Sequence, residues 1–147
     1  MSTTQAAQAI RNAIEAELAA SRFYRLLAAS TVDDEARAFL EEMSQAELEH
    51  AEAIDKHRLK LVQDPLPSTV DSKVEVIETV PNWKYVDDIS FDEALEVAKT
   101  AEIQACMYYD AIADNLAGEL QEFFRELSRT EQQHARLIDE RRSLLGS

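Results

Sequence analysis

The chain has 147 residues, with 29 acidic side chains against 15 basic ones and a net charge of −14. That balance excludes a nucleic-acid binder, which needs a basic face for phosphate, and it supplies no basic patch for docking on an anionic membrane. The single cysteine, Cys106, excludes a disulfide framework and a Cys-x-x-Cys metal site, and two glycines with three prolines are too little punctuation for an all-β fold.

A chain of this length is expected to be one domain, residues 1–147, with a sizeable core. The N-terminal Met1-Ser-Thr-Thr-Gln-Ala-Ala lacks the basic and apolar pattern of a signal peptide, and no apolar run approaches a membrane span. The expected compartment is the cytoplasm.

Four helices are predicted in chain order. The first covers about residues 4–29, with Ala9, Ile10, Ala13, Ile14, Leu18, Phe23 and Leu27 as its apolar stripe. A polar break at Ser30-Thr-Val-Asp-Asp34 offers capping residues for a second helix over about 33–61. Residues 62–89 hold all three prolines, and are read as an irregular crossover in which Trp83 and Tyr85 pack on the bundle or on a partner subunit. Ser90-Phe-Asp-Glu93 has the form of a capping box and opens a third helix over 91–114. Asn115-Leu-Ala-Gly118 ends that helix, and a fourth runs over 119–144.

The most specific signal is a repeat. Glu47-Leu-Glu-His50 and Glu131-Gln-Gln-His134 each follow a lone glutamate, Glu17 and Glu102, by about thirty residues. Residues i and i+3 share a helical face, so each motif aims one carboxylate and one imidazole at the same point. The neighbourhoods match too: Glu17 to Tyr24 aligns with Glu102 to Tyr109, and Phe39 to Ala51 with Phe123 to Ala135. A fixed-offset likeness of this kind is an internal repeat. The unit is a helical hairpin, and two hairpins make a four-helix bundle.

Connection lengths set the topology. The short links within each hairpin make its helices antiparallel. A crossover of nearly thirty residues, at roughly 3.3 Å per extended residue, can run the length of a bundle of about 40 Å. The second and third helices are then parallel, the arrangement of an all-α ferritin-like bundle.

With these motifs the chain resembles the rubrerythrin-type members of the ferritin-like superfamily over nearly its whole length. The resemblance implies a dinuclear iron site, with Glu17 and Glu102 as terminal ligands, Glu47 and Glu131 as bridges, and His50 and His134 as one imidazole per metal. Manganese or zinc are possible substitutes. Electrostatics supports this on its own ground. Four carboxylates facing one another inside a bundle are costly unless paired, and two divalent ions nearly neutralise them. Mixed carboxylate and imidazole ligation suits iron or manganese better than a thiolate-seeking metal.

Tyr24 and Tyr109 each lie seven residues after a ligand glutamate. They are read as phenols bonding the carboxylates across the site, Tyr24 to Glu102 and Tyr109 to Glu17, rather than as core aromatics. His57 is expected at the surface or the bundle end, and Cys106 as a small buried apolar residue.

The chain departs from the family pattern in two places. Rubrerythrins usually carry a further carboxylate three residues after the third-helix glutamate, where this chain has Ala105, and often a C-terminal rubredoxin module with four cysteines. The resemblance implies an oxidoreductase that reduces hydrogen peroxide or dioxygen, with electrons from an external donor such as a rubredoxin. A ferroxidase that oxidises Fe(II) is the alternative. A hydroxylase of a quinone-like substrate ranks lower, since the acidic surface does not suit a membrane-docked enzyme. A homodimer is expected, with hairpins possibly exchanged between subunits.

Overall fold

The computed structural model describes residues 3–61 and 90–145. They form four helices: α1 (Thr3–Ala29), α2 (Asp34–Leu61), α3 (Phe91–Asp114) and α4 (Gly118–Leu145). The crossover, with Trp83 and Tyr85, lies outside the described residues.

Each boundary has a local cause. Asp33 caps α2 by accepting the Ala36 amide at 2.9 Å, so the cap lies at the end of the polar break. Ser90 caps α3, its hydroxyl accepting the Glu93 amide at 3.1 Å. Between α3 and α4 the chain reverses at Gly118, whose φ of 66° is left-handed and favours glycine.

Side-chain pairs set the directions. Ser21 meets Ser44 across α1 and α2 at 3.0 Å, and Lys99 meets Asp139 across α3 and α4 at 2.9 Å, so each hairpin is antiparallel. Tyr24 bonds Glu102 while Tyr109 bonds Glu17, so α1 and α3 are also antiparallel. It follows that α2 runs parallel to α3, which is the ferritin-like order. The backbones lie close together within each hairpin, and the hairpins meet through larger side chains.

The interior has three layers along the bundle axis. One apolar cluster, including Ile10, Ile14, Ile54, Tyr108, Ile112 and Phe124, fills one end. A second, including Phe23, Leu27, Leu40, Met43, Leu95 and Ile138, fills the other. Between them lies a layer of buried glutamates, where apolar packing gives way to charge.

Candidate metal centre

Each helix contributes to that middle layer. α1 supplies Glu17, α3 supplies Glu102, and α2 and α4 supply the two Glu-x-x-His pairs. All four glutamates are at most 2% exposed. A charged residue is seldom buried so completely without a partner, so four together require a common cause.

The six residues form two overlapping groups. Glu17, Glu47, His50 and Glu131 make one; Glu47, Glu102, Glu131 and His134 make the other. Within each group one donor atom per residue lies within 4.8 Å of every other. Glu47 and Glu131 belong to both, which is the position of a carboxylate shared between two ions. Glu17 with His50, and Glu102 with His134, serve one group each. All six sequence-predicted ligands are brought together.

The donor atoms are aimed at the space between them and not at one another. His50 Nδ1 stands 2.9 Å from Glu131 Oε1 and 3.5 Å from Glu17 Oε2. His134 Nδ1 stands 2.7 Å from Glu47 Oε1 and 3.6 Å from Glu102 Oε1. Yet both Nδ1 atoms, and one or both oxygens of each glutamate, lack a hydrogen bond of acceptable geometry. Buried polar atoms are rarely left so. Two donors at right angles on an ion about 2.1 Å away stand about 3.0 Å apart, close to the shorter separations seen here. The set therefore fits a pair of divalent cations. The imidazole rings stack, 5.7 Å between centroids and 12° from parallel, one in each group.

Protons take the part of the cations when the side chains are alone. Burial pushes Glu47 and Glu131 well above the ordinary glutamate value of 4.5, and the charges of Glu102 and Glu17 push the same way. Burial also works against an ionised Glu17, but the nearby Glu47 and His50 outweigh it and bring Glu17 below 4.5. Burial disfavours a charged His50, yet Glu17 beside it lifts the imidazole above its ordinary 6.5. Metal binding must displace these protons.

The two tyrosines close the layer crosswise. The Tyr24 hydroxyl donates to Glu102 Oε1 at 2.8 Å, and Tyr109 donates to Glu17 Oε1. Both rings are buried. Burial and the carboxylate charges raise both phenols well above their ordinary 10, so they remain donors at neutral pH. Such contacts orient a ligand and tune its basicity.

Ala105, where a further carboxylate stands in many rubrerythrins, is 4% exposed, and its counterpart in the first half, Ala20, is 1% exposed. Two methyl groups thus take these paired positions, and neither half adds a carboxylate there. His57 stays out of the cluster: its ring lies 4.7 Å from that of Phe123, and its Nδ1 is 2.9 Å from the Ala53 carbonyl. Cys106 corrects the sequence reading. It is half-buried, with its sulfur 3.1 Å from the Ser128 hydroxyl. The buried polar residues Asn12 and Ser128 were not anticipated as partners; the repeat alignment pairs Ser44 with Ser128 and was the available signal for the latter.

Among the described residues, no helix is long and apolar enough to cross a membrane. Searches of curated proteins and of solved structures returned no match. The family profile described as Rubrerythrin matches residues 8–90 and 93–144, spanning both hairpins and all six ligand positions. This chain belongs to the rubrerythrin family.

Proposed function

We propose that the protein is a di-iron oxidoreductase that reduces hydrogen peroxide or dioxygen, using Glu17, Glu47, His50, Glu102, Glu131 and His134 to hold two iron ions. The burial of the donor layer carries this reading. Its carboxylates are at most 2% exposed, and the widest exposure is the 16% of the His50 side chain. A small oxidant can reach such a layer, whereas a quinone-sized substrate would need it opened.

Bound iron would supply the reducing electrons and the Lewis acidity toward an O–O bond. The protein's own groups do the rest. Glu47 and Glu131, which belong to both donor groups, would be shared between the two ions. Tyr24 and Tyr109 hold the terminal carboxylates in place. The apolar clusters on either side keep bulk water out, which strengthens electrostatic interactions within the layer. Peroxide reduction to two waters consumes two electrons and two protons. The electrons come singly from a separate one-electron carrier, such as a rubredoxin. Manganese and zinc can fill the same donor set without the same redox chemistry. The setting is a cytoplasmic homodimer.

The test is anaerobic reconstitution with Fe(II), followed by stopped-flow mixing with peroxide and separately with oxygen. Oxidation much faster with peroxide supports a peroxidase, and the reverse supports an oxidase. Uptake of iron beyond two ions per chain shows a ferroxidase instead.

A further inference from the structure

The two halves of the bundle share a contact outside the ligand set. In the first hairpin the Ser44 hydroxyl donates to the Ser21 carbonyl at 2.8 Å, with the two hydroxyl oxygens 3.0 Å apart. In the second, the Ser128 hydroxyl donates to the Cys106 carbonyl at 3.2 Å, and the Cys106 sulfur lies 3.1 Å from that hydroxyl. Ser44 and Ser128 occupy matching places in the repeat, as do Ser21 and Cys106. The repeated motif is therefore longer than Glu-x-x-His: it is Ser44-x-x-Glu47-x-x-His50 and Ser128-x-x-Glu131-x-x-His134.

The placement gives this contact a purpose. Ser21 and Cys106 lie one turn beyond Glu17 and Glu102, while Ser44 and Ser128 lie one turn before Glu47 and Glu131. Each bond thus ties the two helices of one hairpin a single turn from the donor atoms they must bring together. Because the halves are related by a two-fold, one tie lies on the side of the layer facing Phe23 and Met43, the other on the side facing Tyr109 and Phe124.

We propose that Ser44 and Ser128 are positioning residues that set the register of each ligand pair, and that the serine-to-cysteine difference at position 106 makes the two ion positions unequal. The helix faces near the layer are rich in alanine, with Ala16, Ala20, Ala51, Ala98, Ala101, Ala105 and Ala135 all buried. Such smooth faces pack closely but resist sliding weakly. A slip of one residue moves a ligand about 1.5 Å along the axis and turns it about 100°, whereas metal ligands tolerate only about 0.2 Å. A hydroxyl bonded to a fixed carbonyl on the facing helix supplies the register that methyl groups do not. The first hairpin has the shorter bond and a second hydroxyl beside it, so Glu17 and His50 hold the more firmly placed position.

This inference rests on the dinuclear reading of the site, and cobalt titration separates the two. Wild-type protein is titrated with Co(II) alone, following the visible d–d bands and the stoichiometry, with the melting temperature of the metal-free protein measured alongside. Two ions are expected, bound in unequal steps. Ser44→Ala should weaken the tighter step by roughly 10-fold or more and alter its band, as expected for a group supporting a ligand. Ser44→Thr keeps the hydroxyl and should restore both. Ser21→Ala keeps the carbonyl acceptor but removes the second hydroxyl, so it should weaken the tighter step by less than Ser44→Ala and bring the two steps closer together. Ser128→Ala should weaken the other step, and it carries the test if Ser44→Ala does not fold. Wild-type titration by both serine-to-alanine variants, or equal damage from Ser21→Ala, overturns the inference. Failure of the wild type to bind two cobalt ions overturns the dinuclear reading instead.

Discussion

Tyr24 of α1 donates its hydroxyl to Glu102 of α3 across 2.8 Å, joining residues 78 positions apart in sequence. Tyr109 returns the same contact to Glu17. Beside the apolar clusters that both hairpins share, these two bonds give the halves directional contacts that fix how they face each other. Tyr24→Phe should leave a buried carboxylate oxygen unsatisfied and cost about 1–3 kcal/mol of stability in the metal-free protein. Urea denaturation measures that loss. Metal titration should show binding at the Glu102 and His134 position weakened by roughly 10-fold to 100-fold, and Tyr109→Phe should do the same at the Glu17 and His50 position.

The shared carboxylates should differ from the terminal ones in what they cost. Glu47 and Glu131 each belong to both donor groups, while Glu17 and Glu102 belong to one. Replacing Glu47 or Glu131 by Ala should abolish binding of one or both ions, and Glu17→Ala or Glu102→Ala should weaken one. Metal analysis after gel filtration gives the count. Full dinuclear occupancy in Glu47→Ala and Glu131→Ala would falsify the bridging assignment.

Metal-free protein should lose stability as pH rises. Glu47 and Glu131 bind protons more tightly when folded, so their contribution is complete below the ordinary 4.5 and is lost as pH rises through their raised values. His50 acts in the same sense above 6.5. Glu17 acts oppositely, its contribution being lost only as pH falls below 4.5 toward its lowered value. Melting temperatures of chelator-treated protein should therefore fall as pH rises above 4.5 from the two glutamates, and further above 6.5 from His50. Metal reverses the trend, since affinity rises as the protons leave. A free ion at 100 times its dissociation constant adds about 2.7 kcal/mol for each site. A chelator-treated protein whose melting temperature is flat over that rise in pH, and unmoved by Fe(II) or Mn(II), would contradict this account.

The proposed homodimer should scatter light as twice the 16.6 kDa chain. Exchange of hairpins is a low-cost route to such a dimer when a long connection joins two similar units. It is tested by refolding Glu17→Ala and Glu102→Ala chains together. Exchange would build one layer with all six ligands in each mixed dimer, and cobalt binding would show intact two-ion behaviour. Dimers without exchange would recover none, and a monomer that binds both ions would end both ideas.

The convergence of the six carboxylate and imidazole residues, the bundle topology and the crosswise tyrosines were all legible in the sequence. A spacing of three on a helix forces Glu47 with His50, and Glu131 with His134, onto one face. Equal offsets in the two halves then force the faces to meet, and seven residues from each terminal glutamate lead to a tyrosine on nearly the same face. Helical periodicity converts such spacings directly into directions. The proton balance was decided only by tertiary structure, because Glu17 and Glu47 differ in pKa direction through neighbours contributed by other helices. The same holds for the serine ties. Ser44 and Ser128 look like ordinary small residues until a carbonyl from the facing helix arrives beside each hydroxyl, and the half-buried Cys106 depends likewise on where α4 places Ser128. Spacing along one helix determines which residues can converge. Only contact between helices determines which hydrogen bonds and charges they then exchange.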